Sequence, residues 1–553
     1  MSPFSAQPDQ SRYDAIVIGS GAAGLTCANQ LARSGLSVLL AEKNDWVGGY
    51  SHGFSKDGFY WDHGGHIFLA YRLGAQARAV FQRLKLDERV EMVPDQHDYR
   101  CIFPDDSLSL PAEMTQAADI LASRFPEERE GIARVLLIME QMIEEVDEFV
   151  PSFRVATAKG SRRPFDPIKE QFQRPRLGKL LGRLPGVAHL PGGGLLKYQN
   201  RTFKQLLDEH LKSPRLKGFF SMLAVGIAAA PAELSAVIAG VFFIHALRTM
   251  WMPRGGFGKL AEALAEMFQE NGGTLLTGAE VERIVIEDGR TAGIETRDGR
   301  RFSASTVVSA CDARRTFLQM LDPQHVPAEL RERLSRMRTS PSFFQVQLGV
   351  DMDLEPYRKD IKRLNFIYPY DDIDRAMANF PNGNVEEAAY YLYVATFHQP
   401  EMAPPGKHSI KLECPTRINA RGIDWERDRE RIADVFVRRS EQVIPGLSGH
   451  IVTRNIRTPE DLQRDTGNSE GAFAGWAFTP DLLSRGRPSQ RTPVPGLYLA
   501  GHWTTPSAGV PWVMVSGYNT AGMVVADQRG QRRRTVLRGA GSAKRASGRS
   551  QGE

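Results

Sequence analysis

Apolar and polar residues follow two periods along this chain, and the short period comes first. Tyr13-Asp14-Ala15-Ile16-Val17-Ile18 is a β-branched, mostly apolar run, the pattern of a buried parallel strand. Residues 25–32 read as a helix closed by Gly35, and residues 37–41 as a second strand that delivers Glu42. Helices are predicted over 73–84, 112–124, 128–150, 203–211 and 216–229. In the third of these, Ile132, Val135, Leu136, Met139, Met142, Ile143 and Val146 share one face. A further helix starts near Pro231, with proline in its first turn, and runs through Ile238, Val241, Phe242, Phe243, Ile244 and Leu247. Apolar nearly all round, it is predicted to be buried in the core or to line an apolar cavity.

The short period returns in the second half. Strands are predicted near 90–92, 99–103, 279–286 and 306–310, with hairpins at Asp288-Gly289 and Asp298-Gly299. Residues 342–350 set Phe343, Gln345, Gln347 and Gly349 against Phe344, Val346, Leu348 and Val350. With 390–396 and 407–413 they read as the sheet of a substrate domain, covered by a charged-faced helix over 425–443. A strand at 497–500 and a helix over 509–527 end the folded part.

Between the first strand and helix lies Gly19-Ser20-Gly21-Ala22-Ala23-Gly24. Gly19 permits the tight turn, Gly21 lets backbone approach a pyrophosphate, and Gly24 lets the helix pack on the strand. The N–H groups and positive end of that helix suit phosphates, and Glu42, about 20 residues on, suits ribose hydroxyls. Then come Lys43, the doublet Gly48-Gly49 with Tyr50, and the aromatic stretch Gly58-Phe59-Tyr60-Trp61-Asp62-His63-Gly64-Gly65-His66.

This order resembles the extended fingerprint of the flavoprotein amine oxidase and phytoene desaturase superfamily. The resemblance continues through Trp251-Met252-Pro253-Arg254-Gly255-Gly256-Phe257-Gly258, Gly272-Gly273, Val281, Asp288-Gly289 and Val307-Val308-Ser309-Ala310. It ends with Leu497-Tyr498-Leu499-Ala500-Gly501-His502-Trp503 and Gly509 to Asn519. It implies an α/β fold, a Rossmann-like FAD-binding domain of the GR2 type interleaved with an α+β substrate domain. The FAD-binding segments would be 1–95, 250–335 and 490–530, and the substrate segments, with a helical, membrane-facing part, 96–249 and 336–489. By the same resemblance the cofactor is FAD, held by Gly19, Ser20, Gly21, Ala22, Ala23, Gly24, Glu42, Lys43, Gly48, Gly49, Tyr50, Val281, Ala310, Gly501, His502, Pro511, Trp512 and Val513. Val281 would meet the adenine end through its backbone, with Ala310-Cys311-Asp312 nearby. Tyr50 stands where many relatives carry arginine, and His502 where many carry an acid, so those two contacts must differ here.

Composition changes the picture little. The chain has 553 residues, a net charge of +5 and 42% hydrophobic residues, which suits a globular protein of two intertwined domains and does not indicate nucleic-acid binding. Four cysteines, Cys27, Cys101, Cys311 and Cys414, have no metal or CxxC spacing, so no metal is expected and a reducing compartment is. With no signal peptide and no run of about 18 apolar residues, the protein reads as cytoplasmic. Two basic stretches modify that reading. Residues 152–184 carry nine Lys or Arg among Phe153, Phe165, Ile168 and Phe172, either a solvated loop and helix or a patch on an anionic membrane. Residues 531–553 read as a basic, disordered tail.

One cradle, and no second one at Gly192-Gly193-Gly194, argues against bound NAD(P)H, so electrons would pass to oxygen or a quinone. Within the superfamily the order and length look most like carotenoid desaturases, carotenoid cis-trans isomerases and retinol saturases. That implies an FAD-dependent oxidoreductase acting on C–C bonds of a lipophilic polyene or isoprenoid. The alternative is a redox-neutral isomerase using reduced FAD; an amine oxidase or a non-catalytic isoprenoid escort is more distant. No catalytic residue stands out. His66 and His502 are the candidates, each more readily read as a structural hydrogen-bonder, and Trp61, Trp503 and Trp512 are candidate cavity walls, though buried tryptophan is more often core.

Overall fold

A computed structural model of the protein describes residues 11–64, 67–68, 71, 76–95, 98–149, 197–248, 250–484 and 486–547. The basic stretch 152–184, the glycines 192–194 and His66 lie outside the described residues.

The N-terminal pattern builds what it predicts. Ala15–Ile18 is the central strand of a five-stranded, all-parallel sheet in the order Leu497–Leu499, Val307–Ser309, Ala15–Ile18, Val38–Ala41, Thr274–Leu276. Its residues are buried on both faces, as a parallel strand between helices requires. The helix Ala22–Arg33 packs against Phe257–Glu270 and against the closing helix Val510–Ser547. A three-stranded antiparallel meander, Val281–Glu287, Arg290–Thr296 and Arg301–Ser303, follows the sheet's edge strand in sequence.

The second sheet has seven strands in the order Ile451–Arg457, Ser342–Val350, His408–Thr416, Tyr390–Val394, Leu364–Ile367, Tyr99–Ile102, Ser107–Leu110. One pairing, Leu364–Ile367 with Tyr99–Ile102, is parallel and brings together segments far apart in sequence. The helix Trp425–Ser440 covers one face, with Phe344, Phe380, Trp425 and Phe436 in contact. The hairpin Gly53–Lys56 and Phe59–Asp62 covers part of the other. Ser342–Val350 is therefore buried on both faces. Its glutamine face is not solvated, because the hairpin lies on it: Ser409 Oγ donates to Tyr60 O at 2.9 Å, and a Cβ at Gly349 would fall 2.7 Å from the Phe59 ring. The helices Arg129–Phe149 and Ala236–Ala246 pack together beside this sheet.

Three elements differ from the pattern reading. The helix expected from Pro231 begins at Ala236, because residues before it spend their backbone groups on neighbours: Pro231 O accepts from Lys204 N, Leu234 O from Phe203 N, and Ser235 N donates to Phe478 O. The helix expected over 216–229 is split into Pro214–Phe220 and a short turn Met222–Ala224, with Ala228 at φ 53°. The closing helix Val510–Ser547 does not end near 527 but continues into the stretch read as a disordered tail, whose arginines and alanines are good helix formers.

Candidate active site

The turn after Ala15–Ile18 is glycine-dependent at two points. Gly19 has φ 94°, in the left-handed region, and a Cβ at Gly24 would lie 1.9 Å from Gly19 O. The helix thus seats directly on the strand end. A Cβ at Gly21, by contrast, would meet nothing nearer than Gly48 O at 4.0 Å. That space opens onto a cavity lined by Gly19, Gly21, Ala22 and Ala23. The helix start at Gly21 has no side-chain cap and no acid in its first turn, so its N–H groups and positive end face that space. The glycine doublet closes one side: Gly48 (φ 110°) donates its N–H to Ser20 O at 3.0 Å, and Gly21 bridges to Gly48.

Glu42 is 6% exposed and holds the loop as well as facing the cavity. Its Oε2 accepts from Ser20 N (2.8 Å) and Ser20 Oγ (2.7 Å), its Oε1 from Asn44 N (2.9 Å). Ser20 and Gly24 therefore support the cradle from behind and do not line it. Lys43, Glu280 and Arg315 complete this polar end, with Arg315 bonded to Glu280 at 2.9 Å. Val281, Ala310 and Cys311 line it too, while Asp312 is buried and caps the helix Ala313–Leu318. The far wall is the closing segment. Gly501 (φ 98°) passes Ala23, and Pro511, Trp512 and Val513 bring the start of the closing helix to the cavity. That helix crosses the cradle helix where a Cβ at Gly517 would lie 2.2 Å from Ala23 O, a close approach the motif reading missed.

His502 lines the cavity beside this segment. Its Nε2 reaches Asn468 Oδ1 at 3.3 Å, and the same oxygen accepts from Trp503 Nε1 at 2.8 Å. Burial, with Arg487 nearby, pushes its pKa down to about 3, so the imidazole is neutral. The neutral ring thus faces the cavity while tied to Asn468. Trp512 walls the cavity, whereas Trp503 packs on Trp476 in the core and Trp61 packs on Phe54 and Phe59.

The same cavity runs on into an apolar arm. Ile67, Leu223, Gly226, Ile227, Phe242, Ala246, Leu364, Phe366, Tyr391, Phe473 and Phe478 line it, with Phe242 in ring contact with Phe478. Among the described residues no charged side chain lines this arm. The long buried helix thus lines the cavity as well as the core, through Phe242 and Ala246. The rest of the arm escaped sequence reasoning, since its residues come from distant segments and each reads as ordinary core.

Residues 22–525 match the model of the flavin containing amine oxidoreductases. The chain belongs to that family. It is similar to a chloroplastic prolycopene isomerase of an Oncidium hybrid, at 28% identity over 96% of this chain and 86% of that protein. It is also similar to a lycopene-forming phytoene desaturase of Pseudescherichia vulneris, at 25% identity over 93% of this chain and 99% of that one. A solved cyclohexylamine oxidase from Brevibacterium oxydans shares the fold, with a TM-score of 0.61 at 16% identity, covering 94% of this chain and 99% of its own. The protein is an FAD-dependent oxidoreductase. Its cradle fits that cofactor: open space at Gly21, an uncapped helix start, a docked glycine doublet, and a polar end with Glu42 that suits ribose. Among the described residues, no helix is long and apolar enough to cross a membrane.

Proposed function

We propose that the enzyme acts on carbon–carbon bonds of a lipophilic polyene or isoprenoid. The observation that carries this reading is the apolar arm, continuous with the cofactor end and free of charged lining side chains among the described residues. An amine substrate would bring a cation into that arm with no carboxylate to meet it, at a cost of several kcal/mol. When bound, FAD supplies hydride acceptance or donation. The chain's own residues align an extended hydrocarbon along the apolar lining that includes Phe242 and Phe366, exclude water, and direct the closing helix's positive end at the cavity, where it favours negative charge. No side-chain acid or base is assigned. The site residues named from the resemblance, and the division into cofactor segments 1–95, 250–335 and 490–530 and substrate segments 96–249 and 336–489, are part of this proposal. So are collection of substrate from an anionic cytoplasmic membrane surface and an electron acceptor such as a quinone or oxygen.

A second reading, cis-trans isomerisation with reduced FAD, is favoured by the similarity to the prolycopene isomerase over nearly the whole chain. One experiment separates them. The visible spectrum of the purified protein is recorded before and after anaerobic addition of phytoene, carotene and retinol in detergent. Bleaching of the flavin bands by one polyene supports desaturation. Persistent bands, with a polyene changing geometry only after dithionite, support isomerisation. No change with any polyene, together with peroxide formed from amines, overturns both.

A further inference from the structure

Tyr50 lines the cavity directly after the glycine doublet. Its hydroxyl donates to Gly471 O at 3.0 Å, with Ala472 O at 3.4 Å, and its ring meets Phe473 edge to face with centroids 5.3 Å apart. A Cβ at Gly64 would lie 3.0 Å from Tyr50 Cδ1, so that glycine leaves the room the ring occupies. Burial pushes the phenol upward and keeps it protonated.

The segment it touches is one that needs holding. Gly467 (φ 71°), Glu470 (φ 60°) and Gly471 (φ 64°) are left-handed, and Glu470 bears a side chain. Such a conformation persists where surroundings fix it. From the side of residues 312–339, Asp312 accepts from Ser469 N (2.6 Å), and Arg314 (2.9 Å) and Thr339 Oγ1 (2.9 Å) donate to Glu470. From the cofactor side, Asn44 Nδ2 holds Asp465 O at 2.8 Å and Tyr50 holds Gly471. This segment forms the cavity wall through Asp465, Thr466, Gly467 and Asn468 at its polar end and Phe473 and Ala474 in the apolar arm.

We propose that Tyr50 is a positioning residue: by holding Gly471 O, its hydroxyl latches residues 466–474 onto the cofactor loop and so slows escape of the bound flavin. The latch does not rest on the polyene reading.

Two readouts test it on the FAD-loaded protein. Flavin release after dilution is followed by the rise in flavin fluorescence, and phytoene binding in detergent micelles by its effect on the protein's fluorescence. Tyr50→Phe keeps the ring and removes the latch, so flavin release speeds up about fivefold while phytoene affinity stays within about twofold. Release from a folded Tyr50→Phe at the wild-type rate overturns the latch. A wild-type protein that binds no polyene refutes the polyene reading instead, and flavin release still decides the latch.

Discussion

Lys411 and Glu413 form a fully buried ion pair, 2.7 Å apart with side chains 2% and 0% exposed. Both residues point to the polar face of the seven-stranded sheet, under the hairpin. Lys411 Nζ donates to Asp62 O and His63 O, each at 3.0 Å, and Gln345 Nε2 donates to Glu413 and to His63 O (2.8 Å). Burial is the leading influence on both groups, pushing Glu413 well above and Lys411 well below their ordinary values. At an effective dielectric of 20, two charges at this distance attract by roughly 6 kcal/mol, about what desolvating both costs. The pair as a whole is near neutral for stability, yet neither member tolerates losing the other.

The expected magnitudes follow from what the orphan must do. With Lys411→Met, Glu413 escapes by protonating, which at pH 7 against an unfolded pKa near 4.3 costs at most about 3.7 kcal/mol. With Glu413→Gln, Lys411 escapes by deprotonating, which at pH 7 costs at most about 4.6 kcal/mol. The signs differ with pH. Glu413 alone has a raised folded pKa, so the Lys411→Met penalty is small near pH 4 and grows as pH rises. Lys411 alone has a depressed folded pKa, so the Glu413→Gln penalty shrinks as pH climbs toward 10. The double variant loses chiefly the donor to Asp62 O, a cost of about 1–3 kcal/mol, far below the sum of the singles. Urea unfolding of the four proteins at pH 5, 7 and 9, followed by tryptophan fluorescence, measures this cycle. Single variants within about 1 kcal/mol of wild type at pH 7, or additive penalties in the double, would refute the reasoning.

Two further outcomes are expected. Gly24→Ala and Gly517→Ala each drive a Cβ into a backbone carbonyl, at 1.9 and 2.2 Å, and should cost about 1–3 kcal/mol or more and strip bound flavin. The flavin-to-protein absorbance ratio reads this, and full occupancy in either would show that the helices part without consequence. Acid should destabilise the protein below pH 6.5. His63 and His502 are held neutral by burial, His502 down to about 3, so unfolding takes up two protons near pH 5, against one released by Asp62, whose pKa is pushed up to about 7 by burial. The net uptake of one proton gives a loss of about 1.4 kcal/mol per pH unit, to which half-buried His52 adds; stability that is flat or rises on acidification to pH 5 would contradict it.

How far the chain can be read from sequence depends on where each constraint acts. The cradle is legible because its requirements are local: Gly19, Gly24 and Glu42 must sit at fixed offsets from one strand and one helix, and the structure seats them accordingly. The parallel sheet is legible for the same reason, since continuous apolar runs mark strands buried on both faces. The apolar arm is not. Phe242, Phe366, Tyr391 and Phe478 approach one another only through the tertiary fold, and a phenylalanine facing a cavity has the same local signature as one facing another side chain. The glutamine face of residues 342–350 shows the converse. Its alternation is that of a half-solvated strand, and only the hairpin of residues 53–62, nearly 300 residues away, turns that face into a buried polar seam. The seam then needs Lys411, Glu413 and Gln345 to satisfy one another, while Arg457 donates to His63 Nε2 at 2.9 Å. These charges are better explained as the joint between the hairpin and the seven-stranded sheet than as surface residues. They lie beside Tyr391, which pairs with Glu413 across the sheet, so the polar seam and the apolar wall share one face of the sheet, and the seam flanks the wall that Tyr391 gives to the arm.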